Sequence, residues 1–183
     1  MWQSSSAAVT VIMDSFSPDT VIHGVLLNVW DLGVLITGES GTGKSECALE
    51  LVSRGHRLVA DDVIHVTNAD KKLLGKAPER FAGLLHVRDI GIVDIRKLYQ
   101  NGFEPKHEID LCMDLQLSER PSNNGSETEI AGVHIPRFVL SIGRGRNLPL
   151  LIETIVRLHQ SGNLATETEL IAAHDKFVSA QAG

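Results

Sequence analysis

Two cysteines, Cys47 and Cys112, are all that this 183-residue chain carries. They stand too far apart to make a metal-ligand spacing, and a disulfide framework is not expected. A reducing cytoplasm is the natural setting. Basic residues are the minority, 17 Lys+Arg against 23 Asp+Glu, a formal charge of −6. That balance argues against a dedicated nucleic-acid binder and against binding to anionic membranes. No apolar run approaches the ~20 residues of a membrane span. The opening Met1-Trp2-Gln3-Ser4-Ser5-Ser6 lacks the basic n-region of a secretory signal, and no internal repeat is found. What remains is ordinary for a soluble globular domain: 43% hydrophobic and 22% charged residues. That is enough chain to bury a core without staples.

Residues 1–20 read as a Ser-rich tail or short leading strand, and 21–183 as one domain. Val25–Trp30 and Val34–Thr37 are strand-like, broken at Asp31-Leu32-Gly33. The second strand runs into a glycine-rich loop, and a helix is predicted from Lys44 to about Ser53, with Gly55 as its C-cap. Arg57–Ala60 then reads as a short buried strand ending in Asp61-Asp62. Strand, loop, helix, strand is a βαβ unit, which predicts a parallel pair of strands. A hairpin is expected over Val63–Leu74, and short helices over Pro78–Leu85 and Asp94–Gln100. Alternation over Ile109–Leu117 predicts a half-exposed antiparallel strand. Ser118–Glu129 reads as a loop and Ile130–Ile142 as a strand, with Pro136 marking an edge or bulge. Asn147 is placed to cap a helix, with Pro149 in its first turn, that runs to about His159. Leu150, Leu151, Ile155, Val156 and Leu158 form its apolar face. A last helix spans about 166–179.

The chemistry concentrates in Gly38-Glu39-Ser40-Gly41-Thr42-Gly43-Lys44-Ser45, a G-x-x-x-x-G-K-S phosphate loop. Glycines let backbone N–H groups converge on phosphate oxygens without a Cβ in the way. The helix N-terminus adds partial positive charge. Lys44 supplies a cation for the β/γ-phosphates and Ser45 a hydroxyl for Mg²⁺. A preceding strand and a following helix are the context this motif requires. Asp61 and Asp62 suit metal support and proton abstraction. Because successive strand residues point to opposite faces, one of the two is expected to face the nucleotide. His65, His107, His134, His159 and His174 read as surface or packed polar residues, and His56 as a partner of the preceding helix end. Arg144 and Arg146 read equally as an anion site or as balancing charge.

Beyond the loop, His23-Gly24-Val25, Gly33–Ser45, Leu49–Val52 and Arg54–Asp62 together resemble the catalytic domain of bacterial HPr kinase/phosphorylase. His86-Val87-Arg88-Asp89-Ile90-Gly91-Ile92-Val93-Asp94-Ile95 is similar to that family's signature stretch, and Gly145-Arg146-Asn147-Leu148 to its late G-R-N-L stretch. The resemblance implies an α/β fold, a P-loop-containing HPr-kinase-like domain with a mixed twisted sheet and flanking helices. It implies ATP and Mg²⁺, phosphorylation of a seryl residue on HPr, the small phosphocarrier of the sugar phosphotransferase system, and phosphorolysis in reverse. It also implies a homo-hexamer, and the separate N-terminal domain of the full-length members has no counterpart here. Carried over by position, Lys44 and Ser45 bind nucleotide and metal, Asp62 is the proton acceptor, and His23 is a further active-site residue. Arg120 matches the catalytic arginine, Asp61 and His86 stand at metal positions, and Ser141–Arg146 corresponds to the loop tied to phosphorolysis. His86 replaces the family's usual Glu and Asp89 its usual Gly. An imidazole suits hard Mg²⁺ less than a carboxylate does, and Asp tolerates positive φ better than most residues. Two other readings stay open on the residues alone: a catalytically impaired nucleotide-binding regulator, and a P-loop kinase of another substrate.

Overall fold

The computed structural model describes residues 20–117, 126–143 and 145–163. The leading segment, the final helix, Arg120 and Arg144 lie outside the described residues.

The chain opens with a hairpin, β1 (Thr20–Val29) and β2 (Leu32–Gly38), turning at Trp30-Asp31. The phosphate loop leads into α1 (Lys44–Ser53). Gly55, at φ 99°, ends that helix. The N–H of His56 bonds Leu51 O at 3.2 Å and that of Gly55 bonds Val52 O at 3.0 Å, which satisfies carbonyls the helix end would otherwise leave open. Strand β3 (Arg57–Ala69) follows, then β4 (Lys72–Lys76), a single 3₁₀ turn (Glu79–Phe81), β5 (Leu84–Val87), β6 (Gly91–Asp94) and α2 (Ile95–Leu98). The remainder is β7 (Lys106–Glu108), β8 (Leu111–Gln116), β9 (Ser126–Ile130), β10 (Val133–Ser141) and α3 (Leu148–Gln160). No helix among the described residues is long and apolar enough to cross a membrane.

Eight strands form one mixed sheet in the order β7-β4-β3-β1-β2-β8-β10-β9, while β5 and β6 pair separately. The mixed α/β architecture expected from the sequence is present, but its connections differ. Strands β2 and β3 run in the same direction without pairing, because β1 lies between them, antiparallel to both. The β2-α1-β3 crossover therefore skips a strand. Nor is Ile109–Leu117 half-exposed and antiparallel. Its ordered part, β8, is parallel to both β2 and β10, and Leu111, Cys112, Met113 and Leu115 are all buried. The alternation of Asp110, Asp114 and Gln116 misled because Asp114 is satisfied internally, ion-paired with Arg137 and accepting from Gln116.

Other boundaries move for similar reasons. Strand β3 does not stop at Asp61-Asp62 but continues into the expected hairpin. Pro78–Leu85 makes one 3₁₀ turn and then a strand, and α2 covers four residues of the predicted Asp94–Gln100 helix, capped by the Asp94 carboxylate on the N–H of Arg96. Part of the polar 118–129 segment is strand β9, and a turn at Ala131-Gly132 divides it from β10. Pro136 is not on an edge strand. It sits one residue before the pairing with β8 begins at Arg137, so its missing N–H leaves that ladder whole.

The sheet is apolar on both faces. Leu27, Ile36, Met113 and Leu140 meet α1 and α3 on one side. Helix α3 is capped as expected, with Asn147 Oδ1 accepting from the N–H of Leu150 at 3.0 Å. Its buried face is Pro149, Ile152 and Val156, whereas Leu150 and Leu158 are exposed. Full burial of Ile152 or Val156 contributes roughly 1.5–3 kcal/mol. Leu26, Leu35, Val59, Ile64 and Ile135 form the opposite core. It is closed by the β9–β10 turn, whose Ala131 carbonyl accepts from Asn68 Nδ2 at 2.8 Å. His56 does more than follow a helix end: its buried ring bonds Glu153 at 3.0 Å and meets Trp30 edge-on, tying α1 to α3.

Gly33, at the start of β2, exchanges two hydrogen bonds with Asp110, its N–H donating to the carboxylate at 2.7 Å and its carbonyl accepting from the Asp110 N–H at 2.8 Å. A Cβ there would stand 1.6 Å from the carbonyl oxygen of Glu108. Gly33→Ala must therefore push β7 away from β2. The expected loss is about 3 kcal/mol in urea unfolding, and a loss below about 0.5 kcal/mol would show that the two backbones part freely.

Candidate active site

Strand β2 delivers the phosphate loop to the C-terminal edge of the sheet, where ligands of open α/β sheets bind. Gly38, at φ 137°, turns the chain out of the strand, and a Cβ there would lie 2.5 Å from the Leu115 carbonyl oxygen. Gly43, at φ 86°, is the N-cap of α1. Left-handed backbone at both positions requires glycine. The first helical bond is Cys47 N–H to Gly43 O at 2.9 Å. The N–H groups ahead of it therefore point out of the helix, with its partial positive charge. Thr42 fastens the loop, its hydroxyl donating to Glu39 O at 2.8 Å. Lys44 Nζ donates to Gly38 O and Glu39 O, both at 2.8 Å, so the ammonium is arched over the loop.

The loop floors a cleft of about 460 Å³. His23 and Gly24 enter it from β1, Asp61 and Asp62 from β3, and His86 with Arg88 from the end of β5. Both aspartates face it, against the one-in-two expectation. Asp62 is the reason, for its φ of 65° breaks the strand's alternation. Non-glycine residues adopt that conformation at a cost, and such strain gathers at functional sites.

The two carboxylates differ sharply. Asp61 is 8% exposed. Its Oδ2 accepts from the His86 N–H at 2.8 Å and its Oδ1 from the Ser45 hydroxyl at 3.4 Å. Burial pushes its carboxyl above the usual carboxylate range. The Asp62 charge pushes the same way, and the His86 and Ser45 bonds oppose it in part. Asp62, with a side chain 81% exposed, lies 3.8 Å from His23 Nδ1 on the rim.

Ser45 and Asp61 present hard oxygens side by side. Among the described residues no three His, Cys, Asp or Glu side chains converge as a metal cage. That donor set fits Mg²⁺, which takes one or two protein oxygens, waters and phosphates rather than a full protein cage. His86 reaches Asp61 by its backbone, and its ring lines the cleft without completing such a cluster. Asp89 has φ 64°, the conformation a glycine would take without cost. Arg88 was missed from the sequence. Its guanidinium nitrogen lies 3.1 Å from where a Gly41 Cβ would be. Alternation with buried Leu85 and Val87 puts it on the same face as His86, a signal that was available.

Asp61→Asn keeps an oxygen for the His86 N–H and removes a buried charge. Asp61's folded carboxyl ionises at higher pH than its unfolded one. Its stabilising protonation is complete below the unfolded value and lost as pH rises through the folded one. In metal-free buffer at pH 7 the variant should melt at or above the wild type, and the difference should shrink toward acid pH. A lower melting temperature at pH 7 would refute this.

Comparison with known proteins shows the family. The model for the HPr Serine kinase C-terminal domain matches residues 14–177. HPr kinase/phosphorylase of Geobacillus thermodenitrificans is 40% identical over 174 residues, covering 89% of this chain and 56% of that protein. The Streptococcus thermophilus protein of the same name is 41% identical over 160 residues, covering 81% and 52%. The chain thus spans about half the length of the curated relatives it matches. A solved structure of the Hpr(Ser) kinase/phosphatase from Coxiella burnetii superposes with a TM-score of 0.73 at 36% identity, over 78% of this chain and 97% of that one. With its phosphate loop, paired aspartates and mixed sheet in place, this chain belongs to the HPr serine kinase C-terminal domain family.

Proposed function

We propose that the chain is an ATP- and Mg²⁺-dependent protein kinase that phosphorylates a seryl hydroxyl of HPr or an HPr-like phosphocarrier, with phosphorolysis of the phosphoserine as its reverse reaction. Cytoplasmic location and self-association as a homo-hexamer belong to the same reading. The observation that carries it is the placement of Asp62. A carboxylate on an open rim, beside a loop built for triphosphate, suits a hydroxyl borne on a protein surface better than a small metabolite that must be enclosed.

The chain's own groups divide the work. The loop N–H groups and Lys44 hold the β- and γ-phosphates and take up the charge spread over the transferring group. Arg88, across Gly41, adds a second cation there. Ser45 and Asp61 would hold the Mg²⁺, which would supply positive charge against that of the phosphates. Asp62 orients the seryl O–H and takes its proton as the oxygen bonds to the γ-phosphorus and the bond to the β-phosphate oxygen breaks, releasing ADP. His23 steadies Asp62 from β1. In reverse, Asp62 returns the proton as inorganic phosphate takes the phosphoryl group and leaves as pyrophosphate. Arg120 is assigned a charge-stabilising part by the family resemblance.

The test is transfer of labelled γ-phosphate from ATP/Mg²⁺ to purified HPr, with HPr lacking its acceptor serine as control. Labelling should vanish with Lys44→Ala. Asp62→Asn should lower the rate by about 10²–10⁴-fold with ATP binding retained. Wild-type protein that binds ATP but labels no HPr serine would overturn the proposal.

A further inference from the structure

At the end of the loop strand, support from the sheet becomes one-sided. The β1–β2 ladder ends at the Val25–Ile36 pair, whereas the β8 ladder carries on through Thr37–Asp114 and Gly38–Leu115. The residue that leads into the phosphate loop is therefore held from β8, and its side chain is held there too. Thr37 shares the face of Leu35, which is the face away from α1. Its hydroxyl donates to Asp114 Oδ1 at 3.3 Å. The Thr37 oxygen is left to accept from the Cys112 thiol at 3.7 Å, a group that burial keeps neutral.

Asp114 is itself fixed from two further sides. Its Oδ2 accepts from Gln116 Nε2 at 2.8 Å and is ion-paired with Arg137 of β10. Burial works to raise its carboxyl, and the bonds from Arg137, Gln116 and Thr37 hold it below the usual carboxylate range in spite of that. It is thus an ionised acceptor whose place is set by β8 and β10, and Thr37 is the side chain that links it to the loop. Among the described residues Thr37, Asp114 and Arg137 stand outside the lining of the phosphate cleft. The cluster therefore acts on the backbone of the loop and touches no ligand there. Gly38, next along, carries the carbonyl that accepts from Lys44 Nζ at 2.8 Å. A shift of the Thr37–Gly38 peptide would move the entry of the loop and the anchor of its lysine together.

We propose that Asp114 is a positioning residue for the phosphate loop, acting through the Thr37 hydroxyl to hold Gly38 and Lys44 where ATP meets them. This rests on the ATP-binding part of the reading above, and adds to it a residue behind the loop. A loop set in advance spares the ligand the cost of ordering it, so the Thr37–Asp114 bond is expressed as affinity.

The test is calorimetric titration with ATP and Mg²⁺. A positioning bond changes Kd and leaves the number of binding sites alone. A bond that only stabilises the sheet lowers the number of competent sites at unchanged Kd. Thr37→Val, close to threonine in shape, should weaken ATP about tenfold with the number of sites unchanged, the size expected of one hydrogen bond to a charged group. Thr37→Ser should bring affinity back to within about twofold of wild type, since the hydroxyl is restored. Asp114→Ala should match Thr37→Val, and the double variant should lose no more than either alone. Unchanged Kd in Thr37→Val, with or without a loss of sites, would overturn the proposal, and Thr37→Ser needs no buried charge to be left unpaired. Additive losses in the double variant would detach Asp114 from Thr37 and overturn it as well. Binding alone is read, so a failure to label HPr would count against the kinase reading and leave this result standing. Wild-type ATP binding indifferent to Lys44→Ala would overturn the nucleotide reading, and the proposal with it.

Discussion

Asp61 is the group on which the site's assembly depends. A carboxylate buried in strand β3 accepts from the backbone of β5 through His86 and from the first turn of α1 through Ser45. Three segments distant in sequence are thereby drawn to one charge. The arrangement is costly in isolation, since burial and the adjacent Asp62 both disfavour ionisation. A buried charge without full compensation is a stability liability. The structure holds its hard oxygen donors ready at the expense of folding free energy, a common trade at functional sites.

Asp62 solves a different problem. A regular strand would send the second aspartate to the opposite face. A left-handed φ in mid-strand turns it back onto the same cleft as Asp61. One carboxylate is thus buried and bonded, the other open on the rim. Two groups of one residue type are thus given different surroundings in one cleft, the arrangement by which one residue type can serve two roles.

The strand order sets these local facts on one side of the loop. Because β1 is inserted between β2 and β3, the aspartates lie two strands from the loop strand, on the side away from α3. The phosphate loop thereby has the aspartates on one side and the β10–α3 turn on the other. Helix α3, anchored by Ile152 and Val156 and tied to α1 through His56 and Glu153, holds the far wall.

The chain by itself determined what local rules govern. The phosphate loop, the helix that follows it, the Gly55 end and the Asn147 cap were legible because each depends on φ preferences and on hydrogen bonds only a few residues apart. So was the pairing of β3 with β4, where Asn68-Ala69-Asp70 punctuates two apolar runs. Only tertiary structure decided the rest. The insertion of β1 between β2 and β3 depends on which strands meet, and a βαβ pattern reads the same with or without a strand between. Burial of β8 on both faces was hidden by Asp114, whose charge looked like a solvent face until Arg137 was brought to it. The turning of Asp62 into the cleft is a backbone strain that the surrounding sheet maintains, against the preference of an aspartate taken alone.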